Sequence, residues 1–196
     1  PEFLREGSAV KDFLWPDRVV LGSSSKKAFD FMMDVYRPLF INETPIVKTS
    51  IQTAEMIKYA SNAFLALKIS YINEIANLCD EVDADIHEVT KAMGSDGRIS
   101  PKFLHPGPGY GGSCFPKDTN ALASLAKQKG LTLKTVEGAI RANQYQKERM
   151  VFKLNRLFNG DISGKTIAIL GLAFKQETDD IRDSAALDMI QSLLKS

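Results

Sequence analysis

The stretch Gly107-Pro108-Gly109-Tyr110-Gly111-Gly112-Ser113-Cys114-Phe115-Pro116-Lys117-Asp118 organises the chain. Four of its first six residues are glycine, so the backbone can take positive φ and lie close to whatever it wraps. A helical pattern follows from Thr119 to Lys129, with Gly130 as the residue that ends it. Cys114 therefore stands just ahead of a helix N-terminus, where the positive end of the dipole favours thiolate over thiol. Lys117 adds a full positive charge nearby. Most lone cysteines are small packing residues, but a packing residue has no need of such surroundings. A nucleophile does.

The run Gly-Tyr-Gly-Gly-Ser-Cys-Phe-Pro-Lys-Asp resembles the catalytic signature of the UDP-glucose/GDP-mannose dehydrogenase family. The resemblance extends over essentially the whole chain, from Pro1-Glu2-Phe3-Leu4-Arg5-Glu6-Gly7 to Gly171-Leu172-Ala173-Phe174-Lys175. It implies a mixed α/β fold: a mainly α-helical central (dimerisation) domain with a long spine helix, flanked by partial doubly wound α/β domains. On that reading residues 1–45 end an NAD-binding domain, 46–160 form the central helical domain with the cysteine loop, and 161–196 begin a UDP-binding domain. Family members carry an N-terminal glycine fingerprint ahead of this region, so the chain is expected to be an internal portion of a longer protein.

Composition is that of an ordinary globular protein, with 44% hydrophobic and 25% charged residues. A net charge of +1 gives no basic field for nucleic acid. No apolar run approaches bilayer length, so no membrane partner is expected. Two cysteines, Cys79 inside a helical pattern and Cys114 in the loop, do not form a disulfide framework and fit a reducing cytoplasm. The two histidines, His87 and His105, argue against a His-based zinc site.

Working outward, Arg18–Gly22 and Ile46–Thr49 are β-branched runs that predict short strands. Between them Ser23–Ser25 cap a helix from Lys26 to Tyr36, stopped before Pro38. Strand followed by helix implies an α/β layer. The longest pattern is a helix from Thr53 to Val82, on the order of 45 Å at 1.5 Å per residue. One stripe holds Ile57, Ala60, Phe64, Leu67, Tyr71, Ile75, Leu78 and Val82; another, roughly opposite, holds Lys58, Asn62, Leu65, Ile69, Ile72 and Ala76. Two apolar stripes predict a helix sandwiched between layers, a spine or a dimer core. Lys58 and Asn62, four apart, share a face of an otherwise apolar row. Polar groups there are costly unless something needs their hydrogen bonds, although a lysine near a helix start can also snorkel to water.

Asp85-Ile86-His87-Glu88 predicts a capping box for a helix to Met93, closed by Gly94, with His87 solvated in its first turn. Glu137–Phe158 predicts a further helix whose polar middle, Arg141 to Arg149, is a solvated face. Gly164–Gly171 predicts a buried parallel strand, and Ala185–Lys195 a helix capped by Asp183 or Ser184. Together these last two would open a second doubly wound unit.

The resemblance implies the chemistry: a UDP-sugar primary alcohol oxidised to a carboxylate with two NAD⁺ and one water, through a cysteine thiohemiacetal and thioester. It assigns Cys114 as nucleophile, with Lys58 and Asn62 stabilising the oxyanion. Asp118 assists proton transfer, its plainer alternative being a helix cap, and Glu2 activates the water. Substrate contacts are implied for Phe3, Leu4, Arg5, Arg98, Phe103, Leu104, His105, Gly109, Tyr110, Gly111, Phe174 and Lys175, with Arg98 coming from a second subunit. Glu6, Phe115, Lys117 and Arg182 are implied to lie beside NAD. The implied function is oxidation of UDP-glucose to UDP-glucuronate by a cytoplasmic homodimer. The alternatives are another nucleotide sugar such as GDP-mannose, or, for the chain by itself, an inactive helical dimerisation module.

Overall fold

The structure, a computed structural model, describes residues 1–195, the side chains of residues 40–42 excepted. It is mostly helical with one small parallel sheet, a mixed α/β chain as expected, and it divides into two compact units, Pro1–Ser61 and Asn62–Ser196.

In the first unit, β1 (Val19–Gly22) pairs in parallel with β2 (Ile46–Thr49), Val19 opposite Ile46 and Gly22 opposite Thr49. The connection between them is helical because two parallel strands need a long crossover. That crossover contains α2 (Lys26–Val35), whose N-terminus is closed by the Ser25 hydroxyl accepting from the Ala28 amide, and a 3₁₀ turn over Arg37–Asn42. Phe29, Met32, Met33 and Tyr36 recur at helical spacing and cover Val19, Leu21 and Leu39, which form the unit's core. Gly22 is required by space: a Cβ there would lie 2.6 Å from the Ala54 Cβ. A short helix that the sequence pattern did not announce, α1 (Ala9–Leu14), precedes β1. None of its positions is fully buried, and what fixes it is local: the half-buried Asp12 accepts from the Arg5 backbone amide, the Arg5 guanidinium and the Ser8 hydroxyl.

Helix α3 (Ile51–Val82) is the expected spine. In the second unit its Asn62, Ala63, Ala66, Ser70, Ile72, Asn73 and Cys79 are buried. The other predicted stripe is open: Phe64, Tyr71, Leu78 and Val82 are exposed. Within this chain the helix is therefore enclosed on one side, since no element among the described residues covers that stripe. Helix α4 (Ile86–Gly94) starts as predicted, with the Asp85 carboxylate accepting from the His87 amide. Gly94, however, does not take the left-handed conformation of a helix terminator. It is glycine because a Cβ would come within 2.9 Å of Pro101.

Helix α5 (Phe115–Gln128) begins earlier than its apolar pattern indicates. Pro116 sits in the first turn, where a missing N–H costs nothing, and this is the signal that extends the helix back to the loop. Its end is as expected. Gly130 takes φ +72°, and the Leu131 amide bonds back to the Ala126 carbonyl.

Helix α6 (Lys134–Leu157) packs against α5 and against α7 (Ala185–Leu193), whose first turn is capped by Ser184. Two expectations need correction here. The polar middle of α6 is only in part a solvated face: Arg141, Gln144, Tyr145 and Glu148 are exposed, but Asn143, Gln146 and Lys147 are buried. Nor is Gly164–Gly171 a buried strand: it is irregular and largely exposed, with Leu170 at 96%. A strand exists only where a neighbour takes its N–H and C=O groups, and no described segment pairs with this one.

Candidate functional site

Cys114 is the N-terminal cap residue of α5, and its side chain makes no capping hydrogen bond. The thiol is free and exposed, with the Ser113 hydroxyl 3.7 Å away. One turn further on, the Cys114 carbonyl accepts from the Asp118 amide at 2.9 Å. Asp118 as a residue is only 2% exposed. A buried carboxylate needs partners, and it has two: the Asn62 carboxamide, donating at 2.5 Å from α3, and the Lys117 ammonium at 3.2 Å. Asp118 thus lies inside α5 rather than capping it. The second unit in this way joins three of the sequence-nominated residues, Asn62, Lys117 and Asp118, next to the cysteine.

The glycine loop ahead of Cys114 has no secondary structure, so its buried backbone must be satisfied by other groups. Asn143 on α6 does this twice for Tyr110: its Oδ1 accepts from the Tyr110 amide at 2.7 Å and its Nδ2 donates to the Tyr110 carbonyl at 3.0 Å. Gly107 is held in the same manner, its amide donating to Asn73 Oδ1 and its carbonyl accepting from Gln146 Nε2, both at 2.8 Å. Gln146 in turn accepts from Asn77. These carboxamides were missed in the sequence. The signal that could have found them is a set of uncharged amides at helical spacing beside a loop that supplies no hydrogen-bond partners of its own.

On its other side the loop meets residues 174–184. The Gly112 amide donates to the Arg182 carbonyl at 2.8 Å, and Gly112 takes φ +78°. A Cβ on Gly112 would lie 2.6 Å from the Phe174 ring, and one on Gly111 would strike the Asp183 carbonyl. Lys147, buried on α6, donates to the Asp183 carbonyl at 3.0 Å and pairs with Asp188 at 2.7 Å. Pro108, Gly109, residues 169–178, Ser184–Ala186 and Met189 line an open cleft of about 480 Å³, within the size range of small-molecule sites. It brings together the predicted substrate residues Gly109, Phe174 and Lys175.

Tyr110, Phe115 and Phe103 form an edge-on aromatic group, with ring centres 5.9 and 6.1 Å apart. Burial raises the Tyr110 phenol above its ordinary value, opposed by a hydrogen bond with Thr119. Leu104 is buried, whereas His105 is exposed. Arg98 is exposed and bound to Asp96, whose carboxyl it holds below the usual range. Arg182 is bound in the same local pattern by Asp180.

The first unit holds the remaining nominated residues. Phe3 is flanked by two cations, the Arg18 guanidinium 4.0 Å and the Lys58 ammonium 5.4 Å from the ring centre. Lys58 is half-buried rather than extended into water. Leu4 is half-buried, and Glu2 and Glu6 are exposed. The Arg5 guanidinium is engaged by Asp12.

Among the described residues no cluster of His, Cys, Asp or Glu is arranged to hold a metal ion, and no helix is long and apolar enough to cross a membrane.

Three models of one family match the chain in order. The NAD-binding domain of the UDP-glucose/GDP-mannose dehydrogenase family matches residues 1–40, its central domain 52–145, and its UDP-binding domain 168–196. The chain belongs to the UDP-glucose/GDP-mannose dehydrogenase family. It is 52% identical over 195 residues to the UDP-glucose 6-dehydrogenase of Rhizobium meliloti, the match covering 98% of this chain and 45% of the relative. Its structure superposes with a TM-score of 0.93 on a UDP-glucose dehydrogenase from Pyrobaculum islandicum, at 41% identity, over 100% of this chain and 44% of that one. A UDP-D-ManNAc dehydrogenase from Pyrococcus horikoshii is similar at 30% identity and a TM-score of 0.86, over 100% of this chain and 46% of that one. The chain spans about 45% of the length of the first of these relatives.

Proposed function

We propose that this chain carries the nucleophile and much of the sugar site of an NAD-dependent nucleotide-sugar 6-dehydrogenase that converts UDP-glucose to UDP-glucuronate. The observation that carries the reading is the exposed Cys114 thiol at the head of α5, one turn before a buried Asp118 that Asn62 grips from the spine helix.

The residues support the following sequence. The Cys114 thiolate adds to the aldehyde carbon formed in the first oxidation, giving a thiohemiacetal. Asn62 and Lys58 donate hydrogen bonds to the developing oxyanion, where one such donor is typically worth ~3–4 kcal/mol. Loss of hydride from the thiohemiacetal leaves the acyl group on sulfur as a thioester. Water activated by Glu2 then cleaves it, releasing the carboxylate and the thiol, with Asp118 taking part in proton transfer. NAD⁺, when bound, accepts the hydride in each of the two oxidations. Lys117, Phe115 and Arg182 of the second unit are proposed to lie beside it, Lys117 being also paired with Asp118 and Arg182 with Asp180. Glu6 is proposed for the same cofactor. The cleft beside Gly109, Phe174 and Lys175 is the proposed place of the sugar nucleotide, with Phe3, Leu4, Arg5, Phe103, Leu104, His105, Tyr110 and Gly111 as further contacts.

In keeping with this, residues 1–45 are read as the end of the NAD-binding domain, 46–160 as the central domain, and 161–196 as the start of the UDP-binding domain. The exposed row Phe64, Tyr71, Leu78 and Val82 on α3 supports a homodimer built on the spine, with Arg98 reaching the partner's substrate. A nucleophilic thiol that must stay reduced suits the cytoplasm.

The test is NADH formation from UDP-glucose and NAD⁺ by the full-length protein, with two NADH expected per sugar. Turnover of UDP-D-ManNAc or GDP-mannose in place of UDP-glucose would establish the alternative substrate class. No turnover of any of them would remove the oxidoreductase reading. Sedimentation of a Tyr71→Glu variant checks the dimer, which it should dissociate.

A further inference from the structure

We propose that Asn143 is a positioning residue for the cysteine loop, acting as a one-residue substitute for a neighbouring β-strand. The proposal rests on the reading that the loop ending in Cys114 is catalytic. A peptide group in a sheet is held by one donor and one acceptor from its neighbour. The Asn143 carboxamide gives Tyr110 both, at 2.7 and 3.0 Å, and does so from the middle of a long helix. Asn143 and the Tyr110 ring are both buried, so water cannot take over if the carboxamide is removed. Gly109 is fitted to the same side chain: it takes φ +111°, and a Cβ on it would lie 3.0 Å from Asn143 Oδ1.

Between Tyr110 and the nucleophile lie only Gly111, Gly112 and Ser113. Glycines transmit position poorly unless they are held, because their φ/ψ wells are broad. On the far side Gly112 is held by a single backbone bond, to the Arg182 carbonyl. Among the described residues the Asn143 clamp therefore supplies two hydrogen bonds to this stretch of backbone, at Tyr110, against the one at Gly112. Asn73 and Gln146 hold the loop at Gly107, further from the cysteine. An offset of the order of 1 Å in a reacting atom can cost about a hundredfold in rate. The Asn143 carboxamide bonds to the Tyr110 backbone and not to the Cys114 sulfur.

Hydrogen exchange and kinetics of the full-length protein test this. In the wild type the Tyr110 amide should be strongly protected although it lies in an irregular loop; fast exchange there overturns the proposal without any variant. Asn143→Ala should lose that protection and lower kcat/KM about a hundredfold, whereas Asn143→Asp, which keeps the acceptor for the Tyr110 amide, should recover part of both. Ser70→Ala is the control, since it removes a buried α3–α6 hydrogen bond, to the Ala139 carbonyl, without touching the loop. It should lower Tm while leaving Tyr110 protection and kcat/KM near wild type. Equal losses of kcat/KM in Asn143→Ala and Ser70→Ala would reduce Asn143 to a stabilising residue and sink the idea. If the wild type turns over no nucleotide sugar, the function proposed above fails, and the exchange data still decide whether the clamp exists.

Discussion

Asn62 on α3 and Asp118 on α5 are joined by a 2.5 Å hydrogen bond, with Asp118 buried and one turn past Cys114. The pair ties the spine helix to the helix that the nucleophile begins. Asp118→Ala should destabilise the chain by about 1–3 kcal/mol, because the buried Asn62 amide loses its acceptor. Asp118→Asn keeps an oxygen for Asn62 and should lose less. Urea denaturation of the two variants checks the order, and both should lower NADH formation in the full-length protein.

Cys114 contributes nothing to packing, being exposed and making no capping hydrogen bond. Cys114→Ala should therefore leave Tm within about a degree or two of wild type, as expected of surface substitutions. In the full-length protein it should abolish net oxidation of UDP-glucose while leaving sugar-nucleotide binding intact by calorimetry. Turnover at the wild-type rate would end the nucleophile assignment.

Two glycines of the loop make opposite predictions. Gly111→Ala drives a Cβ into the Asp183 carbonyl, a backbone atom that cannot swing away, and should cost about 1–3 kcal/mol or more. Gly107→Ala meets nothing within 4 Å and does not require positive φ, so its effect should stay within about 0.5 kcal/mol. Thermal melts of the two variants side by side distinguish a loop shaped by close approach from one that is merely glycine-rich.

Acid should loosen the N-terminal segment first. Hydrogen bonds from Arg5 hold the Asp12 carboxyl well below the usual carboxylate range, against a smaller opposing effect of burial. A lowered folded value means that the unfolded chain takes up the proton first as pH falls. The contribution to stability is therefore complete above about pH 4, the ordinary value of aspartate, and is lost progressively below it. Asp12→Asn should be less stable than wild type near neutrality, with the gap closing below about pH 4. Urea midpoints of both proteins across that range measure it.

Local patterns wrote much of the fold openly. β1, β2, α2 and α3 fall where β-branched runs, the Ser25 cap and the apolar period place them, and the end of α5 falls on Gly130. Each depends on neighbours in the chain. Residues 164–171 misled for the opposite reason, since an apolar run becomes a strand only when another strand receives its hydrogen bonds. The middle of α6 misled because Asn143, Gln146 and Lys147 read as solvated when judged by polarity alone.

The sequence by itself determined that a cysteine would follow a glycine-rich loop and head a helix, because glycine, proline and the apolar period act over a few residues. Only the tertiary structure decided what holds that loop. Its partners, Asn73, Asn143 and Gln146, come from helices distant in the chain, and a side-chain amide cannot be told from a surface residue until the backbone it satisfies is folded against it.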